Sequence, residues 1–539
     1  MTAPPSFPRE NVGVTTSDRA STLSAQAAPA VAPATDAAAE TAGGVKAGEA
    51  PVSENENRST TPKSDAFRAQ IMRGWADREE PLPEARVSVP TAAGHREAIS
   101  ARHRGARLVV PAGSLKQRSN DTDYRFRAHS AFSQLTGWGS DAEPGAVLVL
   151  DPIDDGHEAT VYFRERAGRD SDEFYANSEI GEFWIGPRPS LAQTAADLDV
   201  AARDLSEFSE LGLVTDARTL VLREADPELA GRVDEARRTM SLPDAEFDAL
   251  LAEDALLAQD LSELRLVKDS YEVAQMREAV AATAAGFDDI VGSLARAAQH
   301  PRGERIVEGV FQARARLEGN DVGYDTIAAS GSHACILHWT KNSGAVNAGE
   351  LILVDAGVEV DSLFTADITR TIPVTGRFSE EQRLVYEIVL EAADAALAIV
   401  RPGITFRTIH DTAMEVIAAR TQELGMPLGV EGIDPAEQLY RRYMVHGTSH
   451  HLGIDVHDCA KARRELYLDG VLEAGMVFTI EPGLYLQPDD LTVPEQLRGI
   501  GVRIEDDILV TADGAENLSR DIPRTVDEVE AWFASRNSD

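Results

Sequence analysis

Cysteine is nearly absent: the 539-residue chain has two, Cys335 and Cys459. That excludes a disulfide framework and a zinc site built on thiolates, and it is the usage expected in a reducing cytoplasm. Apolar residues never run for the roughly 18 positions that a membrane span needs. The N-terminus lacks a basic region followed by a continuous apolar stretch. Its alanines are interrupted by Pro29, Pro33 and Asp36, so it does not read as a secretory signal. Basic residues are scarce as well, 52 against 90 acidic ones, for a formal net charge of −38. A field of that sign repels phosphate backbones and anionic lipid, which excludes nucleic acid and membrane as expected partners.

What remains is 43% hydrophobic and 26% charged, the balance of a soluble globular protein. The length predicts two domains and a tail. Residues 1–63 are Ala, Pro, Thr, Ser and Glu with almost no aromatic or large aliphatic side chains, and they are expected to be disordered. Order is expected from Ser64, where Phe67, Ile71, Met72 and Trp75 are spaced for one helical face. A first domain over 64–258 mixes strands, ARLVVPAG and GAVLVLDP, with LAQTAADLDVAARDLSEF, which reads as one amphipathic helix. It contains no glycine-rich phosphate loop and no nucleophile elbow, so it declares no chemistry.

A second domain is expected over 259–535. SYEVAQMREAVAATAAGFDDIVGSLA predicts a long helix with Ser270 as N-cap. ELILVDAGVEV and LFTADITRTIPV predict two strands joined by a tight turn near Asp361–Ser362. Helices over Ser379–Val400 and Ile409–Leu424 follow, then the strands GMVFTIEPGLYL and GIGVRIEDDILV. The fold class is therefore α/β in the α+β sense, two mixed domains in series.

Four acidic residues stand among apolar strand residues of this half. Asp355 ends ELILVD, Asp367 lies in the middle of the next strand, Glu481 follows VFTI, and Glu505 ends GIGVRI. One such Asp before Ala-Gly is more often a turn or cap than a ligand. Four together are costly to bury, and their repulsion would protonate some of them. Two divalent cations cancel four carboxylates. With one imidazole the donor set is oxygen-rich, which suits Mn²⁺ first, with Co²⁺ or Fe²⁺ as alternatives. HGTSHHLGIDVHD supplies candidates: His446, His450, His451 and His457, four of the chain's 12 histidines. Taken alone, any of these could equally be packing or a loop hydrogen bond.

The stretches DAGVEVDSLFTADITRT, HGTSHHLGIDVHD, TIEPGLY and GIGVRIEDD resemble the ordered metal motifs of the M24 pita-bread metallopeptidases. Within that family YDTIAASGSHACILHWTKN and VPEQLRGIGVRIEDD look most like the bacterial Xaa-Pro aminopeptidases (aminopeptidase P). AFSQLTGWGSDAEPGAVLVL resembles their creatinase-like N-terminal domain, and the likeness covers residues 64–530. It implies a pita-bread catalytic domain and two divalent metal ions. Asp355 would bind one ion, Asp367 and Glu505 would bridge both, and His450 and Glu481 would complete the second site. It also implies a hydroxide between the ions as nucleophile, with Glu481 taking the proton. His457 would donate to the oxyanion, His338 would stand by the carbonyl and leaving nitrogen, and His446 would line the proline pocket. Arg503 would orient the carboxylates. His451 and His333 are given no role.

The implied activity is release of the N-terminal residue from peptides with proline second, by a cytoplasmic homodimer or homotetramer. The alternatives are an Xaa-Pro dipeptidase (prolidase) and, further off, a pita-bread binding protein without peptidase activity. Methionine aminopeptidases generally lack the large N-terminal domain. One departure from the family is that Asp355 and Asp367 lie one residue further apart. A one-residue slip within a strand reverses the side chain's face, so the extra residue is expected in the Asp361–Ser362 turn.

Overall fold

Strands buried on both faces read as unbroken apolar runs, and ARLVVP and VLVLDPI are two of them. In the computed structural model, which describes residues 62, 64–120, 122–212, 218–426 and 438–537, they form Ala106–Pro111 and Val147–Ile153, paired antiparallel. Gly156–Phe163 adds antiparallel to Val147–Ile153, and Ala201–Asp204 adds parallel at that edge. Arg218–Val221 lies parallel to Ala106–Pro111 at the other edge. Successive side chains alternate between two apolar clusters. Leu108, Val110, Leu148 and Leu150 meet Phe132, Trp138 and Leu261, while Val109, Val147 and Val149 meet Phe208, Leu229 and Val233. Helices thus cover both faces of the sheet. The tail expected over 1–63 falls, apart from Pro62, outside the described residues.

LAQTAADLDVAARDLSEF is not one helix. Helix Leu191–Leu198 ends at Asp199, which adopts φ 49°, and Ala201–Asp204 leaves the helical path to hydrogen-bond the sheet edge. A second helix, Leu205–Glu210, restarts with Asp204 accepting from the Ser206 N–H. Tertiary pairing overrides local periodicity here. The first helix is also shorter than its apolar spacing suggests: it spans Asp65–Ile71, and Trp75 beyond it donates its indole N–H to the Ile71 carbonyl at 2.6 Å.

A second core begins at Leu266. Helix Ser270–Ala297 is capped by Asp269 rather than Ser270, because that carboxylate accepts from both Tyr271 and Glu272 N–H while Glu272 bonds back to the Asp269 N–H. Helices Gly303–Glu318, Glu380–Ile399 and Phe406–Glu423 follow, the last starting three residues before the expected Ile409.

Two hairpins dominate this half. In the first, Leu351–Ala356 runs between Ile327–Ser330 and Ile368–Pro373, antiparallel to both. Asp367 is therefore the residue before a regular strand, not its middle. Asp355 stands opposite Thr369 and Glu359 opposite Thr365, so both arms advance four residues and neither holds an insertion. The Val360 N–H donates to the Phe364 carbonyl and the Leu363 N–H to the Val360 carbonyl, closing the turn with Leu363 at φ 70°. The additional residue sits in the turn, as expected.

The second hairpin is interrupted. Val477–Ile480 pairs with Asp506–Val510 and Gly483–Tyr485 with Gly501–Arg503, the latter two spans being separate strands rather than parts of two long ones. Ile480 opposes Asp506 and Gly483 opposes Arg503, a single register, so Glu481 and Glu505 fall opposite each other in the gap. Pro482 has no N–H to continue the ladder there. The Glu505 N–H donates to the Thr369 carbonyl, which ties the second hairpin to the first.

Gly357, between the ligand-bearing arms, permits that closeness: a Cβ there would stand 1.7 Å from the Ala366 carbonyl oxygen. Gly357→Ala is expected to cost about 3 kcal/mol, the upper range for overpacking. Urea unfolding midpoints check this, and an unchanged midpoint would contradict it.

Candidate metal centre

The four carboxylates arrive from these hairpins, and the histidines from the irregular segment beside them. The Thr479 N–H donates to the His450 carbonyl and the Glu481 N–H to the Thr448 carbonyl, so the segment lies along the Val477–Ile480 strand. Adjacent side chains on an extended backbone point opposite ways. His450 faces a cavity of about 630 Å³. His451 faces the core, stacked on Phe406 with ring centroids 4.6 Å apart.

Asp355, Asp367, His450, Glu481 and Glu505 all line that cavity, as do His338, His446, His457 and Arg503. The tightest group is Asp367, His450 and Glu505, whose ligand atoms lie within 4.8 Å of one another, the one such cluster found among the described residues. His450 Nε2 is 3.2 Å from Asp367 Oδ2 and 3.7 Å from Glu481 Oε1. Its Nδ1 donates to the His451 carbonyl at 3.2 Å, which leaves Nε2 as the ring nitrogen aimed at the acids. Asp355 stands apart from this trio. Its Oδ2 accepts from Arg503 in a short ion pair and its Oδ1 from Tyr324 at 2.6 Å.

Arg503 does more than neutralise Asp355. Its Nε donates to the Thr369 hydroxyl, which donates to Glu505 Oε2 at 2.7 Å, so one guanidinium orients two acids. It also donates to the Tyr485 hydroxyl, which meets His446 Nε2 at 2.7 Å, while His446 Nδ1 lies 2.6 Å from the Gly447 carbonyl. That chain assigns a neutral His446 protonated on Nδ1. Burial, then the Arg503 charge, push its pKa down to about 3. His457 packs edge-on to His450 at 4.4 Å and is lowered by burial and by that neighbour. His333 is a structural residue, its Nδ1 2.7 Å from the buried Glu304 and its ring stacked on Trp339.

The residues fit divalent cations. The Tyr324 hydroxyl lies 2.6 Å from Asp355 Oδ1 and 2.5 Å from Asp367 Oδ1, yet its one proton serves only one of them. Burial raises Asp355, raises Glu505 well above the usual range, and takes Glu481 up to about 8. His450 rises to about 9, burial being outweighed by Asp367 and Glu481. Protons thus fill positions that cations would take. The sequence alone did not single out Tyr324, Thr369 and Tyr485, although each lies inside or beside a stretch already quoted.

Two family models match the chain: "Metallopeptidase family M24" over residues 274–512 and "Aminopeptidase P, N-terminal domain" over 92–219. A Streptomyces coelicolor protein named Xaa-Pro aminopeptidase 2 is 49% identical over 491 residues, covering 90% of this chain and 99% of that one. The Escherichia coli Xaa-Pro aminopeptidase is 33% identical over 461 residues, 80% and 94% of the two chains. Zinc-substituted E. coli aminopeptidase P in complex with product superposes with a TM-score of 0.72 at 30% identity, covering 84% of this chain and all of the other.

Glu481 and His450 dictate a pH dependence for the metal-free protein. Each has a folded pKa above its unfolded value, so each contributes stability that is complete below the unfolded pKa and lost as pH rises through the folded one. For Glu481 the window runs from 4.5 to about 8, for His450 from 6.5 to about 9. Chelator-treated protein is expected to lose urea resistance between pH 5 and 9. Saturating Mn²⁺ should raise stability at pH 8 by about 3 kcal/mol at a hundred times its Kd. Equal midpoints with and without metal would remove the cation site.

Proposed function

Because the chain belongs to metallopeptidase family M24, we propose that it is a metal-dependent Xaa-Pro aminopeptidase that releases the N-terminal residue from peptides with proline second. The observation that carries this is the single cavity in which five acid and imidazole ligands meet His338, His446 and His457. Asp355 would hold one cation and His450 and Glu481 the other, with Asp367 and Glu505 available to both and Mn²⁺ as the proposed metal. Divalent cations there would supply positive charge at the scissile carbonyl and lower the pKa of a water molecule.

The chain's own residues divide the remaining work. Glu481, 3.7 Å from His450 Nε2, receives the proton given up by the attacking water. His457 donates to the developing oxyanion, a contribution of about 3 kcal/mol. His338 stands by the carbonyl and the departing imino nitrogen. The neutral His446, fixed between Tyr485 and the Gly447 carbonyl, offers an uncharged ring to the proline side. Such a site suits the Xaa-Pro bond, a tertiary amide without the N–H that general peptidases bind. Arg503 keeps Asp355 and Glu505 aimed at the centre. Action in the cytoplasm as a homodimer or homotetramer is part of the same proposal; sedimentation of the purified protein reads the assembly.

Glu481→Gln is expected to lower kcat at least about a thousandfold without loss of fold. His457→Ala should lower it about a hundredfold. His451→Ala should leave kcat within about threefold but cost about 2 kcal/mol of stability, since a stacked core ring is lost. Equal kinetic losses at positions 451 and 457 would defeat this assignment. Hydrolysis of Xaa-Pro-Xaa tripeptides separates the aminopeptidase from a dipeptidase; turnover of Xaa-Pro dipeptides alone would identify the latter.

A further inference from the structure

Among the described residues of 64–258 the N-terminal domain contributes no side chain to the cavity lining, yet one of its arginines grips two of the segments that carry lining residues. Arg127 Nε donates to Glu359 Oε2 at 2.6 Å, and Arg127 Nη2 donates to the Ile454 carbonyl at 2.6 Å. Glu359 lies in the hairpin that separates Asp355 from Asp367, opposite Thr365. Ile454 lies between His450 and His457. The two segments touch at that point, where the Thr365 N–H donates to the Gly453 carbonyl at 3.0 Å. The guanidinium therefore closes over the junction of the acid-bearing hairpin and the histidine-bearing segment.

Supporting contacts hold the arginine there. Its Nη1 donates to Ser130 Oγ at 3.2 Å, and Ser130 donates to Asp455 Oδ1 at 2.5 Å, the same carboxylate that lies 3.4 Å from Arg127 Nη2. Glu359, 4% exposed, is completed by the Asn320 side-chain amide at 2.8 Å. A bidentate guanidinium can hold two acceptors at once at fixed separation, which an ammonium cannot do. The His450–His457 segment has no regular helix or strand of its own, so its shape depends on such side-chain contacts.

We propose that Arg127 is a positioning residue for the reaction: the N-terminal domain uses it to set His457 against the Asp355–Asp367 hairpin. The inference rests on the aminopeptidase reading for the role of His457. Its consequence is kinetic, because an oxyanion donor displaced by about 1 Å loses much of its effect.

The test compares Arg127→Met, Arg127→Lys and Lys461→Met in the full-length, Mn²⁺-loaded protein. Lys461→Met is the control, removing another ion pair that reaches the N-terminal domain, Lys461 Nζ to Glu224 Oε1 at 2.5 Å. On an Xaa-Pro-Xaa tripeptide, Arg127→Met should lower kcat at least tenfold with KM within threefold. Arg127→Lys, which keeps the charge for Glu359 but cannot span both acceptors, should fall between it and the native protein. Lys461→Met should leave both constants within twofold. Hydrogen–deuterium exchange supplies a readout independent of turnover: protection over 452–458 and 359–366 should drop in both Arg127 variants and not in Lys461→Met. Should Arg127→Met not fold, Arg127→Lys decides. Unchanged exchange in those segments, a native kcat in Arg127→Lys, or an equal kcat loss in Lys461→Met would each overturn the proposal. A native protein that binds Mn²⁺ yet cleaves no Xaa-Pro peptide would instead sink the aminopeptidase reading, and exchange would still decide whether Arg127 clamps the junction.

Discussion

Four carboxylates share one buried cavity with the Arg503 guanidinium, and the architecture of the catalytic half follows from the need to cancel that charge. Like charges a few ångströms apart in a low-dielectric site cannot all remain ionised without counter-charge. Arg503 neutralises one of them directly and steers a second through Thr369. The rest is left for divalent cations, and until these bind, protons take their place on Glu481 and on His450. This arrangement gives up some stability of the metal-free protein in exchange for a high local charge where an amide must be polarised.

The backbone meets the same need by keeping Asp355 in a regular strand and putting the other three acids where the pairing is interrupted. Asp367 precedes its strand, and Glu481 and Glu505 oppose each other where Pro482 breaks a ladder. A regular strand would turn neighbouring side chains to alternate faces and leave little room for an ion between them. The register carries through the gap, so Glu481 and Glu505 stay opposite each other, and Glu505 keeps the face of Arg503 two residues before it. The histidine segment hydrogen-bonds along Val477–Ile480, and Arg127 adds a grip from outside the catalytic half.

Much of the site was legible in the sequence, because charged residues inside apolar runs need a cause. Asp355, Asp367, Glu481 and Glu505 announce themselves in that way, and the order of the motifs around them carries the family resemblance. The one-residue insertion was also readable, since ADITRT continues without a gap and a slip within the strand would have reversed its faces. Less legible were elements whose ends depend on partners. Asp199 and the strand Ala201–Asp204 interrupt what looks like one amphipathic helix, and Asp269 takes the cap from Ser270 because it can reach two N–H groups.

The sequence by itself determined which residues carry charge into the core, how many there are, and that adjacent His450 and His451 must face opposite ways. Tertiary structure alone decided what surrounds them. Tyr324 shares its hydroxyl between Asp355 and Asp367 from more than thirty residues away, and Arg127 reaches Glu359 and Ile454 across more than two hundred. The reason is physical. Burial and strand periodicity act locally and leave a local pattern, whereas a hydrogen bond between distant segments exists only once the chain has folded and leaves none.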